Sequence, residues 1–320
     1  MDRATQNAPK GRVASGSPLR TTATSCLVCG TATPERVLAS RRIRDLPENQ
    51  LFGGNLRIVE CEECGLRYLN PAPHASELAA IYDYDSWADS TNANPVLQDH
   101  FERLLRTHQP GLSTVCEIGC GVGDFLARLE SNGLTVTGVE FAEPAEKMKF
   151  KGRAYFGMME DIDLSGSQFD AVCLLNTIEH LSDPPAVLEK VRAALRPGGL
   201  FLVRCPNSDL FHFGPYKWTV ELAKFVYHQR LFKSGRKTGF TIAGFQHQHL
   251  FYFDKRSLTT MLGRAGFEVK QLSTVDPYNA LRARRALASA RLAEGAIASL
   301  RHILGYLGLG PELLVVASAR

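Results

Sequence analysis

From Leu112 onward the chain alternates short apolar runs with stretches of helical periodicity, and few architectures accept that alternation. STVCEIG, LTVTGVE, FDAVCLLN and GLFLVRCP read as strands. Between them DFLARLESNG, EPAEKMKFKG and DPPAVLEKVRAALRPGG carry helical signals. In the third of these, Asp183 is placed to cap, Pro184 falls in the first turn, and Gly198 follows the break at Pro197. Farther along, SLTTMLGRAG reads as a helix stopped by Gly266, with FEVKQLST and ELLVVASAR as the last strands. The pattern predicts an α/β fold, a parallel sheet with helices on both faces, and contains no internal repeat.

The segment with most chemical content is VCEIGCGVGDF, residues 115–125, an apolar strand that bends through glycines into a helix. Glycines at such a bend let a ligand approach the main chain. A dinucleotide loop is spaced G-x-G-x-x-G and sets a pyrophosphate on the helix N-terminus. Here the spacing is G-x-G-x-G, Asp124 follows, and Glu117 lies inside the strand end. Two carboxylates suit a pyrophosphate poorly and a cation well. S-adenosylmethionine, with a sulfonium, an ammonium and no phosphate, answers that description. At the end of the next strand Glu140, 21 residues after Gly119, is positioned to accept both hydroxyls of a ribose. NAD enzymes also use a strand-end acid, so the discriminating feature is its combination with E-x-G-x-G-x-G.

Cysteine usage divides in two. Cys116, Cys120, Cys173 and Cys205 stand alone among apolar residues and read as buried small hydrophobes. Cys26, Cys29, Cys61 and Cys64 form two C-x-x-C pairs, each followed by a glycine, Gly30 and Gly65. Two such knuckles predict a tetrahedral structural zinc site with no open coordination position. The 31 residues between the pairs leave room for a larger hairpin than a ribbon usually holds.

On these motifs the chain resembles the class I S-adenosylmethionine-dependent methyltransferases, specifically the group with an N-terminal cysteine-rich zinc module. VCEIGCGVGDF resembles the family's first motif, VTGVE its ribose-binding strand end, FDAVCLLNTIEHLSDP its fourth strand and loop, and LRPGGLFLVRCPN its fifth strand. HLFYFDKRSLTTMLGRAGFEV resembles the late helix and strand. The resemblance implies a Rossmann-like seven-stranded fold with a zinc-ribbon-like module in front. It implies that Glu117, Gly119 and Gly121, with Cys120 between them, line the methionine part of the cofactor. Glu140 and Phe141 then serve the ribose, and Asn176 the methyl-donor side. Where the family often carries Gly-Asp for the adenine, this chain reads FGMMEDID. Met158 and Met159 are therefore expected to pack on the adenine, with a hydrogen bond from the backbone or Glu160; plain core filling is the competing reading. Methyl transfer is a direct displacement helped by alignment, and by a base when the acceptor is a hydroxyl or acidic carbon. His180, in NTIEHLSDP at the sheet's carboxyl edge, is the first candidate base, and His249, in GFQHQHLFYF, the second.

The expected layout is a disordered tail over 1–24, a zinc module over 25–74, a helical lead-in over 75–110 and a methyltransferase domain over 111–320. An aromatic-rich insertion, 207–249, is expected to form a lid over the acceptor. The stretch 279–308 reads as a basic amphipathic helix, expected to pack on the core or a second subunit rather than to touch a membrane surface. A net charge of +4 is too weak to argue for nucleic acid. No apolar run reaches the roughly 18 residues of a membrane span and no secretory signal is visible, so a cytoplasmic location is expected. The favoured acceptor is a small molecule: a sugar, a nucleotide-sugar or another natural-product intermediate. An RNA or protein methyltransferase, an NAD-dependent oxidoreductase and a non-catalytic binding protein are the competing readings, and the oligomeric state is left open.

Overall fold

The computed structural model describes residues 21–31, 35–39, 57–74, 78, 94–141, 148–164, 166–211, 249–275 and 310–320. The lid expected within 207–249 lies largely outside these residues, as does half of the 75–110 lead-in, and the basic helix of 279–308 lies wholly outside them.

The N-terminal part supplies five strands: β1 (Thr21–Thr22), β2 (Glu35–Ala39), β3 (Ile58–Cys61), β4 (Arg67–Leu69) and β5 (Ala72–Pro73). β1 pairs antiparallel with β5, and the Thr24 N–H donates to Asn70 Oδ1, so the last residues of the expected tail are ordered by the module. Residues 1–20 lie outside the description. α1 (Pro95–His108) follows, opened by Asn94, whose side chain accepts from the Val96 N–H at 3.0 Å.

The main sheet follows with β6 (Thr114–Ile118), α2 (Asp124–Ser131), β7 (Thr135–Glu140), β8 (Arg153–Phe156), β9 (Phe169–Leu175), α3 (Pro184–Ala194) and β10 (Leu195–Pro206), of which β8 is not among the strands expected from the apolar runs. After β11 (Phe251–Tyr252) come α4 (Lys255–Arg264), β12 (Phe267–Val275) and β13 (Glu312–Ala319). Asp183 caps α3 by accepting from the Ala186 N–H. Gly266, at φ +84°, ends the turn after α4. α3 stops at Ala194 rather than at the glycines. The helix expected in EPAEKMKFKG does not extend over Met148–Gly152. There the Lys149 N–H binds the Val122 carbonyl and Phe150 packs onto Gly123 and Gly138, where a Cβ would lie 2.3 and 2.6 Å from its ring.

The seven-stranded sheet runs β12-β13-β10-β9-β6-β7-β8, parallel except for β13, which is antiparallel to both neighbours. The chain leaves β6 outward through β7 and β8, then returns to the other side of β6 as β9. That reversal opens a crevice at the carboxyl ends of β6 and β9, where ligands bind in open α/β sheets. Side chains alternate along β9 between two cores. Val172 and Leu174 join Val187 and Leu188 on one face; Ala171, Cys173 and Leu175 join Phe101, Phe125 and Leu129 on the other.

The first core runs without a break into the N-terminal module through Val28, Ile58, Leu66 and Tyr68. Its four-stranded sheet, β11-β4-β3-β2, borrows β11 from beyond the insertion, with Phe251 opposite Tyr68 and Tyr252 opposite Arg67. Arg264 donates to the Val28 carbonyl and Arg256 to that of Glu63, one arginine of α4 on each cysteine knuckle.

Candidate cofactor and acceptor site

Glu117, next to last in β6, has 1% of its surface exposed, and neither carboxylate oxygen has a hydrogen-bond partner among the described residues. Burial, then the charges of Glu140 and Asp124, raises its pKa well above the usual carboxylate range. An acid in this state awaits a cationic or N–H-bearing ligand. Gly119, Gly121 and Gly123 all take positive φ, +75°, +55° and +79°. A Cβ on Gly119 would meet Thr177 Oγ1 at 2.3 Å, whereas one on Gly121 would enter open space. The loop is thus sealed against β9 at its first glycine and open at its second. Cys120 is buried between them.

Glu140 ends β7 and folds back on this loop. Its Oε2 accepts from the Gly121 N–H at 2.6 Å and its Oε1 from the Phe141 N–H at 2.8 Å. Burial raises its pKa, and those two backbone donors oppose the rise. A carboxylate has about four acceptor positions, so two remain open. The Gly157 N–H binds the Glu140 carbonyl at 3.0 Å, bringing the end of β8 alongside. Met159 is buried in the first core and Met158 half-buried against it. Lys190 of α3 ties down the carbonyls of Met159, Glu160 and Ile162.

Across the crevice, Asn176 follows β9 in the left-handed region, φ 58°, the one non-glycine with positive φ among the described residues. Its N–H binds the Arg204 carbonyl, and Thr177 Oγ1 donates to the Ile118 carbonyl, fastening the ends of β9, β10 and β6 together. A 3₁₀ turn, Ile178–His180, comes next. The structure brings His180 and His249 together, ring centroids 4.7 Å apart and nearly edge to face. His249 reaches this position because the Leu250 N–H binds the Glu179 carbonyl at 2.8 Å. Sequence reasoning passed over Thr177 and Glu179. Glu179 is 1% exposed, its carboxylate oxygens lack hydrogen-bond partners among the described residues, and burial pushes its pKa up to about 8. The available signal was an acid placed between two apolar positions in NTIEHL.

Residues 90–272, more than half of the 320-residue chain, match the family described as a methyltransferase domain. The chain belongs to that family. It is a methyltransferase of the class I, S-adenosylmethionine-dependent kind. Its relatives include the ubiquinone biosynthesis O-methyltransferase of Methylobacterium nodulans, 31% identical over 128 residues that cover 36% of this chain and 49% of the relative. The Dinoroseobacter shibae protein of the same name is 32% identical over 134 residues, 36% of this chain and 54% of the relative. The chain spans about half the length of these relatives. Among solved structures, 1,6-didemethyltoxoflavin-N1-methyltransferase of Burkholderia thailandensis aligns over 83% of this chain and 96% of its own, at 16% identity and a TM-score of 0.49.

The methyltransferase carries a second cluster in its module. Sγ–Sγ distances are 3.5 Å for Cys26–Cys64 and 3.4 Å for Cys29–Cys61. Disulfide sulfurs stand about 2.05 Å apart, whereas four thiolates on zinc at about 2.3 Å stand roughly 3.8 Å from one another. All four are free cysteines, at a spacing that could hold a metal ion. Gly30 and Gly65, at φ +75° and +76°, return their N–H groups to the carbonyls of Cys26 and Cys61 in two matching turns. Burial pushes the Cys64 thiol up to about 11; it acts on Cys29 too, but hydrogen bonding to Thr31 prevails and brings that thiol down to about 6.

Proposed function

We propose that this chain moves the methyl group of S-adenosylmethionine to an oxygen of a small-molecule acceptor: a sugar, a nucleotide-sugar or another natural-product intermediate. The observation that carries the reading is Glu117, a buried carboxylate without a partner beside an open glycine turn. A pyrophosphate would gain no counter-charge there, whereas an ammonium group supplies what the acid lacks. The relatives named for O-methylation support the choice of oxygen.

When bound, the cofactor supplies an electrophilic methyl on a sulfonium whose charge disappears as the methyl leaves. Everything else falls to the chain. Glu117, Gly119, Cys120 and Gly121 hold the methionine part, Glu140 and Phe141 the ribose, Met158 and Met159 the adenine, and Asn176 the donor side. His180 first, and His249 second, take the proton of the acceptor hydroxyl, as imidazoles are suited to do near neutral pH. Cys26, Cys29, Cys61 and Cys64 hold a structural zinc, which staples the module and takes no part in bond making. No described helix is long and apolar enough to cross a membrane; a cytoplasmic location fits a biosynthetic role.

Two measurements test the assignment. Calorimetry with S-adenosylmethionine and NAD in separate cells should give heat with the first alone; uptake of NAD without the first would refute the reading. Incubation of labelled cofactor with fractionated cell extract should then transfer label to a small compound that mass spectrometry can identify.

A further inference from the structure

Beneath the histidine pair lies a feature that methyl transfer by a general base leaves unexplained. Glu179 Oε1 is 3.9 Å from His180 Nε2, too far for a hydrogen bond, and Glu179 is almost fully buried. Burying an acid with so weak a contact is costly, and buried polar groups are otherwise satisfied by protein, water or an ion. One ligand atom each from Glu179, His180 and His249 lies within 4.8 Å of the others. An ion held by two imidazoles at about 2.1 Å puts their ring centres roughly 4.6–5.3 Å apart for angles from a right angle to tetrahedral. The observed 4.7 Å falls inside that span. The bracket is held from outside as well: the Leu69 N–H binds the Leu250 carbonyl at 2.9 Å while the Leu250 N–H binds that of Glu179.

We propose that Glu179, His180 and His249 form a second metal site, distinct from the four cysteines, that takes a divalent first-row ion such as Mn²⁺, Co²⁺ or Zn²⁺. Two imidazoles and one carboxylate are a recurrent set for these ions, and three protein ligands leave coordination positions open. The role of the site, though not its existence, rests on the methyl-transfer reading. An acceptor hydroxyl on an open position gives its proton up to water more readily. Its oxygen then bonds to the methyl carbon as the carbon–sulfur bond breaks, and S-adenosylhomocysteine departs. With the ion in place the histidines are ligands; without it they are bases.

The test is titration of Mn²⁺ into the full-length, zinc-loaded protein, followed by the loss of the free-ion electron paramagnetic signal. Manganese prefers oxygen and nitrogen ligands, so the thiolate cluster does not compete. One ion per chain is expected. Glu179→Gln and His249→Ala should each weaken binding at least about tenfold, and Glu189→Gln, on the exposed face of α3, should leave it unchanged. In the unaltered protein the bound ion should also broaden the imidazole proton resonances of His180 and His249, a readout that needs no variant to fold. Absence of bound Mn²⁺ at roughly millimolar concentration, binding by both variants as tight as by the unaltered protein, or imidazole resonances that stay sharp would overturn the site. If label still reaches the acceptor in those cases, the cation proposal falls and the base reading stands. Tight Mn²⁺ binding with no compound ever labelled confirms the site and refutes the methyl-transfer reading.

Discussion

Glu117, buried without a hydrogen-bond partner among the described residues, costs the protein stability. Its folded-state pKa is raised, so the folded state holds a proton that the unfolded chain has released, and stability falls as pH rises above the ordinary carboxylate range. Glu117→Gln should therefore stabilise cofactor-free protein at neutral pH by about 1–2 kcal/mol, read as a higher melting temperature. The same change should weaken S-adenosylmethionine at least about tenfold by calorimetry. Binding to the unaltered protein should release a proton, visible as a dependence of the measured heat on the buffer's ionisation enthalpy. His180→Ala should lower kcat by about two to four orders of magnitude with cofactor affinity unchanged; a loss confined to cofactor affinity would move His180 off the acceptor side. At this scale the sequence exposed whatever is written in local spacing, such as Glu117 and Glu140 around the glycine turn. Glu179 escaped, because its meaning comes from a histidine 70 positions away.

Between neighbouring strands, the register at the amino edge of the sheet is held by one carboxylate. Asp170, at the start of β9, accepts from the backbone N–H groups of Ser113 and Thr114 at 2.9 and 2.8 Å, from both their hydroxyls, and from Arg196. Burial works against its charge, but the Ser113 and Thr114 donors prevail and hold its carboxyl far below the usual range. A depressed folded pKa contributes stability that is complete above the unfolded value, near 4, and is lost as pH falls below it. Asp170→Ala should destabilise by roughly 2–4 kcal/mol and flatten the acid limb of the stability curve, measured by urea unfolding from pH 7 to pH 3. Elements with a strong period were legible: six of the seven strands of the main sheet, the Asp183 cap, the stop at Gly266. The stretch around Phe150 was not, since its apolar spacing looks helical although the residues serve to cover Gly123 and Gly138. Likewise, two residues of β11 carry no periodicity from which to read a strand.

Across the whole molecule, the cysteine module and the catalytic sheet share one core. Cys61→Ser should remove zinc, by elemental analysis, and lower the melting temperature and solubility before it alters cofactor affinity; full metal content and stability in that variant would refute the zinc assignment. The module's boundary with the rest was only half legible, because C-x-x-C pairs announce a separate unit whereas the antiparallel ladder that joins it to residues 251–252 is a matter of topology. That ladder has a consequence for biosynthesis. Arg67 and Tyr68 leave the ribosome some 180 residues ahead of their partners, so a bare hydrogen-bonding edge persists while most of the polypeptide is made. Chaperone dependence during translation, and failure of the first 74 residues to behave when grafted onto another protein, follow from that delay.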